Sequence, residues 1–184
     1  MLSRKEALRR FILTGIVAHP ALYSLACATV PVSGPVQGKS LEQLLGGLQK
    51  LEKDPSRIQA RDGFWSPGKV FSHCAQSIRY GRTGFPEEKS ALFRYTVGSL
   101  AFGVFSLRDS MSHGLTDEIP GAESIPEDYS TSDGLQELVR EIEAFLVYTG
   151  PLKPHFAYGA LSHEQYDRAN TWHILNHLEG LVIR

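Results

Sequence analysis

Near the end of the chain, His173 and His177 stand four residues apart in the run His173-Ile174-Leu175-Asn176-His177. On an α-helix that spacing puts both side chains on one face, with Cβ atoms roughly 6 Å apart, close enough for two imidazoles to reach one ion. Tyr166 and Asn170 continue the same stripe, while Trp172, Leu175 and Leu178 spread over the flanking faces. Two imidazoles beside an apolar interior are costly unless they are hydrogen-bonded or bound to metal. His73, far upstream, is a candidate third nitrogen: it lies one turn from Val70 and Ser77 in a stretch that reads as half-buried helix. For a lone histidine, the ordinary reading is a core-edge ring satisfied by a backbone carbonyl.

The remaining chemistry-bearing residues are fewer. His155 and Tyr158 precede the last helix and are candidate acid/base groups for a site there; the plain alternative is a loop histidine and a packed aromatic. His113 falls in a long polar stretch and reads as exposed, His163 reads as surface, and Cys74 projects about 100° away from its neighbour His73, as a small buried residue does. With only Cys27 and Cys74, the chain has neither a disulfide framework nor a cysteine-based zinc motif, so any metal would rest on His, Asp or Glu.

The elements that must position these residues are helical. Leu41, Leu44, Leu45, Leu48 and Leu51 recur at three and four, predicting a helix that ends before Pro55. Ser66-Pro67 opens a second helix, to about Tyr80, with Gly81 and Gly84 ending it. A third starts near Pro86 and is apolar almost all round (Leu92, Phe93, Tyr95, Val97, Leu100, Phe102, Val104, Phe105, Leu107), which predicts a deeply buried central helix. Arg94, Gly98 and Gly103 argue against a membrane span there. Residues 108 to 132 form a long polar connection. Asp133 then opens a fourth helix, closing at Gly150-Pro151, and Ser162 with Gln165 makes a capping box for a last helix over about 163 to 179. No strand-period segment competes. The expected fold is therefore all-α, a four-helix bundle with an additional short or peripheral helix.

The 184 residues suffice for one domain, and the formal net charge is -1. Arg4, Lys5, Arg9 and Arg10 crowd the start against Glu6 alone, so the rest of the chain is mildly acidic and gives no reason to expect nucleic acid as partner. That basic start, the apolar run Phe11 to Ala28 and the small residues Ala26-Cys27-Ala28 together make a secretory leader over residues 1–28. Arg9-Arg10-Phe11-Ile12-Leu13 resembles a twin-arginine export motif, implying a periplasmic protein. Cleavage after Ala28 is favoured over a lipid on Cys27, which would be the chain's sole attachment to a membrane apart from the leader. Residues 29–38, with Pro31, Gly34, Pro35 and Gly38, read as a linker to a domain over 39–184.

Several segments carry a family likeness. Phe64-Trp65-Ser66-Pro67-Gly68-Lys69-Val70-Phe71-Ser72-His73, followed by His173-x-x-x-His177, resembles the DinB/YfiT-like superfamily of helical bundles. So do Ser112-His113-Gly114-Leu115, Ile119-Pro120-Gly121-Ala122 and His155-Phe156-Ala157-Tyr158-Gly159-Ala160-Leu161-Ser162, which are similar to a branch whose members often bear twin-arginine leaders. The likeness spans roughly residues 39 to 180 and implies a metal held by His73, His173 and His177. Ile174, Leu175 and Asn176 stand where that branch is more polar, so no carboxylate on that stretch is expected to orient the imidazoles. The resemblance implies a divalent ion (zinc, nickel or iron) and transfer or hydrolysis chemistry on a small molecule, with a low-molecular-weight thiol or water as nucleophile. Three neutral imidazoles would leave coordination positions open for it. A non-catalytic metal- or ligand-binding protein of the envelope, or a metal-free bundle whose histidines pack and hydrogen-bond, are the competing expectations. A homodimer is compatible with either.

Overall fold

The structure, a computed structural model, describes residues 29–184; the leader reading of residues 1–28, with Cys27, lies outside the described residues. After a two-residue strand β1 (Val30–Pro31), the leucine repeat forms helix α1 (Leu41–Leu51). Ser40 caps it by accepting the Gln43 N–H, and Leu41, Leu44 and Leu48 point fully inward. A short strand β2 (Ile58–Ala60) leads to α2 (Pro67–Thr83), which begins at the Ser66 cap with Pro at the first position and ends at Gly84, where φ is +106°. A three-residue turn α3 (Ala91–Phe93), a π-helical turn (Arg94–Gly98) and α4 (Ser99–Arg108) follow. Two longer helices, α5 (Thr131–Leu146) and α6 (His163–Leu178), complete the set before strand β3 (Leu181–Ile183). The capping box at α6 forms as its sequence predicts: Ser162 accepts the Gln165 N–H and Gln165 accepts the Ser162 N–H in return.

Helix α2 packs most extensively on α5 and also meets α6; α1 packs on both α5 and α6. The α2–α5 crossing brings backbone against backbone, since a Cβ at Gly134 would lie 2.4 Å from the Gly68 carbonyl oxygen. Phe71 and Ile78 from α2 meet Leu135, Leu138, Ile142 and Phe145 from α5 in one core. The outer edge of that contact is charged: Glu137 accepts from Ser72 Oγ at 2.7 Å and from Arg79 at 2.9 Å, and Arg82 pairs with Glu141. Among the described residues no helix is long and apolar enough to cross a membrane.

Two sequence expectations need correction. The chain is mostly helical but not all-α, because β1, β3 and β2 form an antiparallel sheet in that order, with Val182 opposite both Pro31 and Gln59. Strands of two or three residues are too short to show a period of two. The apolar segment 91–108 is not a buried central helix. Of its large apolar residues only Phe102 is buried, while Leu92, Tyr95, Leu100 and Leu107 are 76%, 72%, 71% and 90% exposed. All-round hydrophobicity argues burial only if every face finds a partner, and here one does.

The long connection between α4 and α5 has little regular structure but is tied down at several points. Lys69 reaches Glu118 and Glu127, each at 3.6 Å, and the Ser66 N–H donates to Glu127. Gln76 donates to the Glu123 carbonyl, and Asn176 Oδ1 accepts the His113 N–H at 3.2 Å. The connection is thereby laid across the ends of α2 and α6 that carry His73 and His177.

Candidate metal centre

His73 stands on the buried face of α2, and His173 and His177 stand one turn apart on α6. Each offers a nitrogen such that all three lie within 4.8 Å of one another. The ring centres are 5.0 Å apart for His73–His173, 4.7 Å for His73–His177 and 4.6 Å for His173–His177. His73 is 3% exposed, deeper than its sequence context suggests, and His177 is 1% exposed. His173 is half-buried, with one edge on a cavity and its Nδ1 closed off from solvent. Trp65 backs the cluster, edge-on to His73 and stacked on His177, with the Lys69 ammonium over its outer face.

Hydrogen bonding leaves most of these nitrogens unused. His73 Nε2 and His173 Nε2 are 3.2 Å apart. That suits an N–H···N hydrogen bond, and it also matches the roughly 3.3 Å expected of two nitrogens bound tetrahedrally to one ion at about 2.05 Å. The hydrogen bond can account for one nitrogen on each ring at most. Both nitrogens of His177 and Nδ1 of His173 are buried without any partner. Buried polar atoms without partners are rare, and each costs about 1–3 kcal/mol unless something absent from the polypeptide binds it. The donor set thus fits an ion.

The protonation states agree. Burial, helped by the neighbouring imidazoles, pushes His177 down to about 2 and holds His173 well below the ordinary histidine range; burial first, then His113 and Lys69, pushes His73 down to about 4. All three are neutral near pH 7, the form that ligates metal. The unfolded chain takes up these protons near the ordinary pKa, whereas the folded chain resists until lower pH. The unfolded state is therefore favoured progressively as pH falls from about 6.5 toward 4. For metal-stripped protein we expect urea midpoints to drop between pH 7.5 and 4, His73 alone contributing on the order of 3 kcal/mol at the acid end of that window. A profile that stays flat over that window would contradict the burial described.

A cavity of about 740 Å³ opens beside the cluster, lined by His73, His113, His155, Tyr158, Asn170 and His173 among others. That volume is in the range of small-molecule sites. Asn170 is 3% exposed; its Oδ1 faces Ser77 Oγ at 3.5 Å and its Nδ2 has no partner, so an amide donor waits in the cavity wall. His155 and Tyr158 are brought to this wall and not to the nitrogen cluster, and their rings stack at 4.3 Å. His155 Nδ1 accepts the N–H groups of Ala157 and Tyr158, so the ring carries its proton on Nε2. Burial pushes His155 down to about 3 and Tyr158 up to about 12.

His163 is exposed, its ring lying on Phe145, and Cys74 is buried with its thiol pushed up by burial. His113 is the residue that sequence reasoning misplaced. Its ring stacks on His173 at 5.1 Å and meets His177 edge-on at 5.0 Å, with a buried Nε2. No periodicity marks an irregular stretch, so the available signal was its place beside Ile119-Pro120-Gly121, in a connection longer than a plain turn needs.

Fold and site together define a class: mostly helical proteins in which two helices bring three histidines, His73 and His177 buried and His173 half-buried, to one point that could hold a metal ion. The chain belongs to the DUF1569 family, whose model matches residues 36–184 and is described as a protein of unknown function. No curated protein and no solved structure matches the chain.

Proposed function

We propose that the protein holds a divalent metal (zinc, nickel or iron) on His73, His173 and His177 and uses it as a transferase or hydrolase acting on a small molecule. The observation that carries this reading is His177, whose two ring nitrogens are buried and unpartnered within reach of two further imidazoles. Once bound, such an ion polarises a carbonyl or lowers the pKa of a water or thiol. The polypeptide supplies the rest. Asn170 Nδ2 donates to an oxygen acceptor of the substrate. His155 Nε2–H and the Tyr158 hydroxyl, both protonated in the structure's electrostatic setting, are donors for a departing group along the same wall. Trp65 closes the far side to water.

The packing of α1, α2, α5 and α6 supports a four-helix bundle similar to the DinB/YfiT-like superfamily, with the sheet and α4 as peripheral additions. The export reading of the N-terminal segment assigns the domain to the periplasm. That location lies away from the cytoplasmic thiol pool, which favours water over a thiol as nucleophile.

Elemental analysis of the natively produced full chain is the test, and about one ion per chain is the expected result. Absence of stoichiometric metal would overturn the reading. Turnover of thioester, ester or thiol substrates that a chelator abolishes and metal restores identifies an enzyme. A metal-loaded chain inert across such a panel would instead favour a binding protein, the second reading.

A further inference from the structure

The segment 91–108 turns an apolar side to water. Phe93, Val97, Leu100, Val104 and Leu107 recur at four and three, the spacing by which a helix presents one face to a partner. Among the described residues nothing covers that face. Leu100 and Leu107 are 71% and 90% exposed and Val97 is 56% exposed, while Leu92 and Tyr95, in the turns before α4, are 76% and 72% exposed. Helix α4 is held from behind, by Phe102 against Tyr158 and Trp172.

Size and charge both mark the patch as an interface. With Phe93, these exposed side chains leave roughly 700 Å² of surface open, near the ~800 Å² that each partner contributes to a stable interface. A contiguous apolar patch of that extent is unusual on a protein that stays alone. Over residues 91–108 the only ionised side chains are Arg94 and Arg108, and Arg94 turns inward to Glu88 at 2.6 Å. Depletion of charge is what distinguishes the centre of an interface from the rest of a surface. A helix lying on lipid carries lysine and arginine along its polar face; this segment has no such row, and the chain beyond residue 28 is mildly acidic.

Gly103 points the same way. It lies mid-helix on the exposed stretch, and an added Cβ would meet nothing within 4 Å. Glycine inside a helix weakens it relative to alanine, and packing within the chain gives no reason for it. Between Leu100 and Leu107 it lets the backbone of a second helix come close.

We propose that a second copy of this chain covers the face, α4 of each copy lying antiparallel on α4 of the other about a two-fold axis near Gly103 and Val104. Leu100 of one copy then meets Leu107 of the other, and the reverse, as a closed pair requires. An uncharged patch meets its own copy without like-charge repulsion. In the dissociated chain α4 is held through its inner face alone. Association steadies it, and with it the Tyr158 wall of the cavity.

Sedimentation equilibrium of the natively produced full chain at about 50 μM is the test, and the mass of two copies is the expected result. Leu100→Glu, which buries a charge in the pair, should raise the Kd for association about thirtyfold or more, with metal content and helical signal as in the natural chain. Gly103→Gln covers the case in which that variant fails to fold. Its side chain has open space in the separate chain and favours the helix, yet it should weaken association about fivefold or more. Raising the protein concentration should slow amide exchange along Ser99–Arg108 in the natural chain but not in Leu100→Glu. A single-copy mass at that concentration, or a two-copy mass that both variants leave unchanged, overturns the proposal. Binding of a single-copy chain to phosphatidylglycerol vesicles overturns it as well and assigns the face to a membrane.

Discussion

A His177→Ala chain, purified beside the natural one, should lose nearly all of its metal while keeping its helical content. His177 is 1% exposed and makes no hydrogen bond through its ring, so truncation removes no bond that the fold depends on. It leaves His73 and His173 able to satisfy each other through their 3.2 Å contact, which further lowers their tendency to take an ion. The thermal consequence is measurable. A ligand present at a thousand times its Kd stabilises the folded state by about 4 kcal/mol, which in a domain of this size raises the melting temperature by roughly 10 °C. Adding metal to the stripped natural chain should produce that rise, and His177→Ala should show almost none. Equal metal content and an equal rise in both chains would refute the centre.

The second large effect concerns how the helix bearing His73 is seated. In Gly68→Ala the new methyl group would lie 2.0 Å from the Tyr129 carbonyl oxygen and 2.7 Å from the Ser130 carbonyl carbon. These are backbone atoms at the start of α5, and they cannot rotate aside as a side-chain end can. The helices must separate, at a cost of about 3 kcal/mol. Because His73 lies further along the same helix, metal affinity should fall together with the urea midpoint. Gly46→Ala provides the contrast: an added Cβ meets nothing within 4 Å, and replacing glycine by alanine inside α1 should stabilise by about 0.5–1 kcal/mol. If Gly68→Ala proves no worse than Gly46→Ala, the tight seating of α2 on α5 is refuted.

How much of this could be read in the sequence depended on periodicity and capping. Leu41, Leu44 and Leu48 announce α1, Ser66-Pro67 announces α2, and Ser162 with Gln165 announces α6, because each places a recognisable residue type at a fixed helical offset. The four-residue spacing of His173 and His177 survives translation into space for the same reason. Their convergence with His73 was not contained in any local pattern; it follows from how α2 packs on α6, and only the family likeness pointed to it. His113 was misjudged because an irregular connection has no face, so nothing local says that its ring turns inward. The segment 91–108 was misjudged for the opposite reason. Its pattern is strong, but hydrophobicity states a preference for burial without supplying the partner.

The exposure of α4 also bears on how evenly the molecule resists opening. A helix that buries only Phe102 among its large apolar residues contributes little to the global unfolding free energy, and its amides depend mainly on their own ladder. Its ties to the rest are few: Phe102 against Tyr158 and Trp172, Phe105 edge-on to Tyr158, the Ser106 carbonyl accepting from Arg168, and the preceding Gly98, whose Cβ position lies 1.8 Å from the Ala157 carbonyl oxygen. Amide exchange should therefore run faster along Ser99–Arg108 than along the helices carrying the imidazoles. The wall around Tyr158 can thus loosen in a sub-global event while α2 and α6 stay closed, giving a small molecule a way into the cavity without melting the cluster.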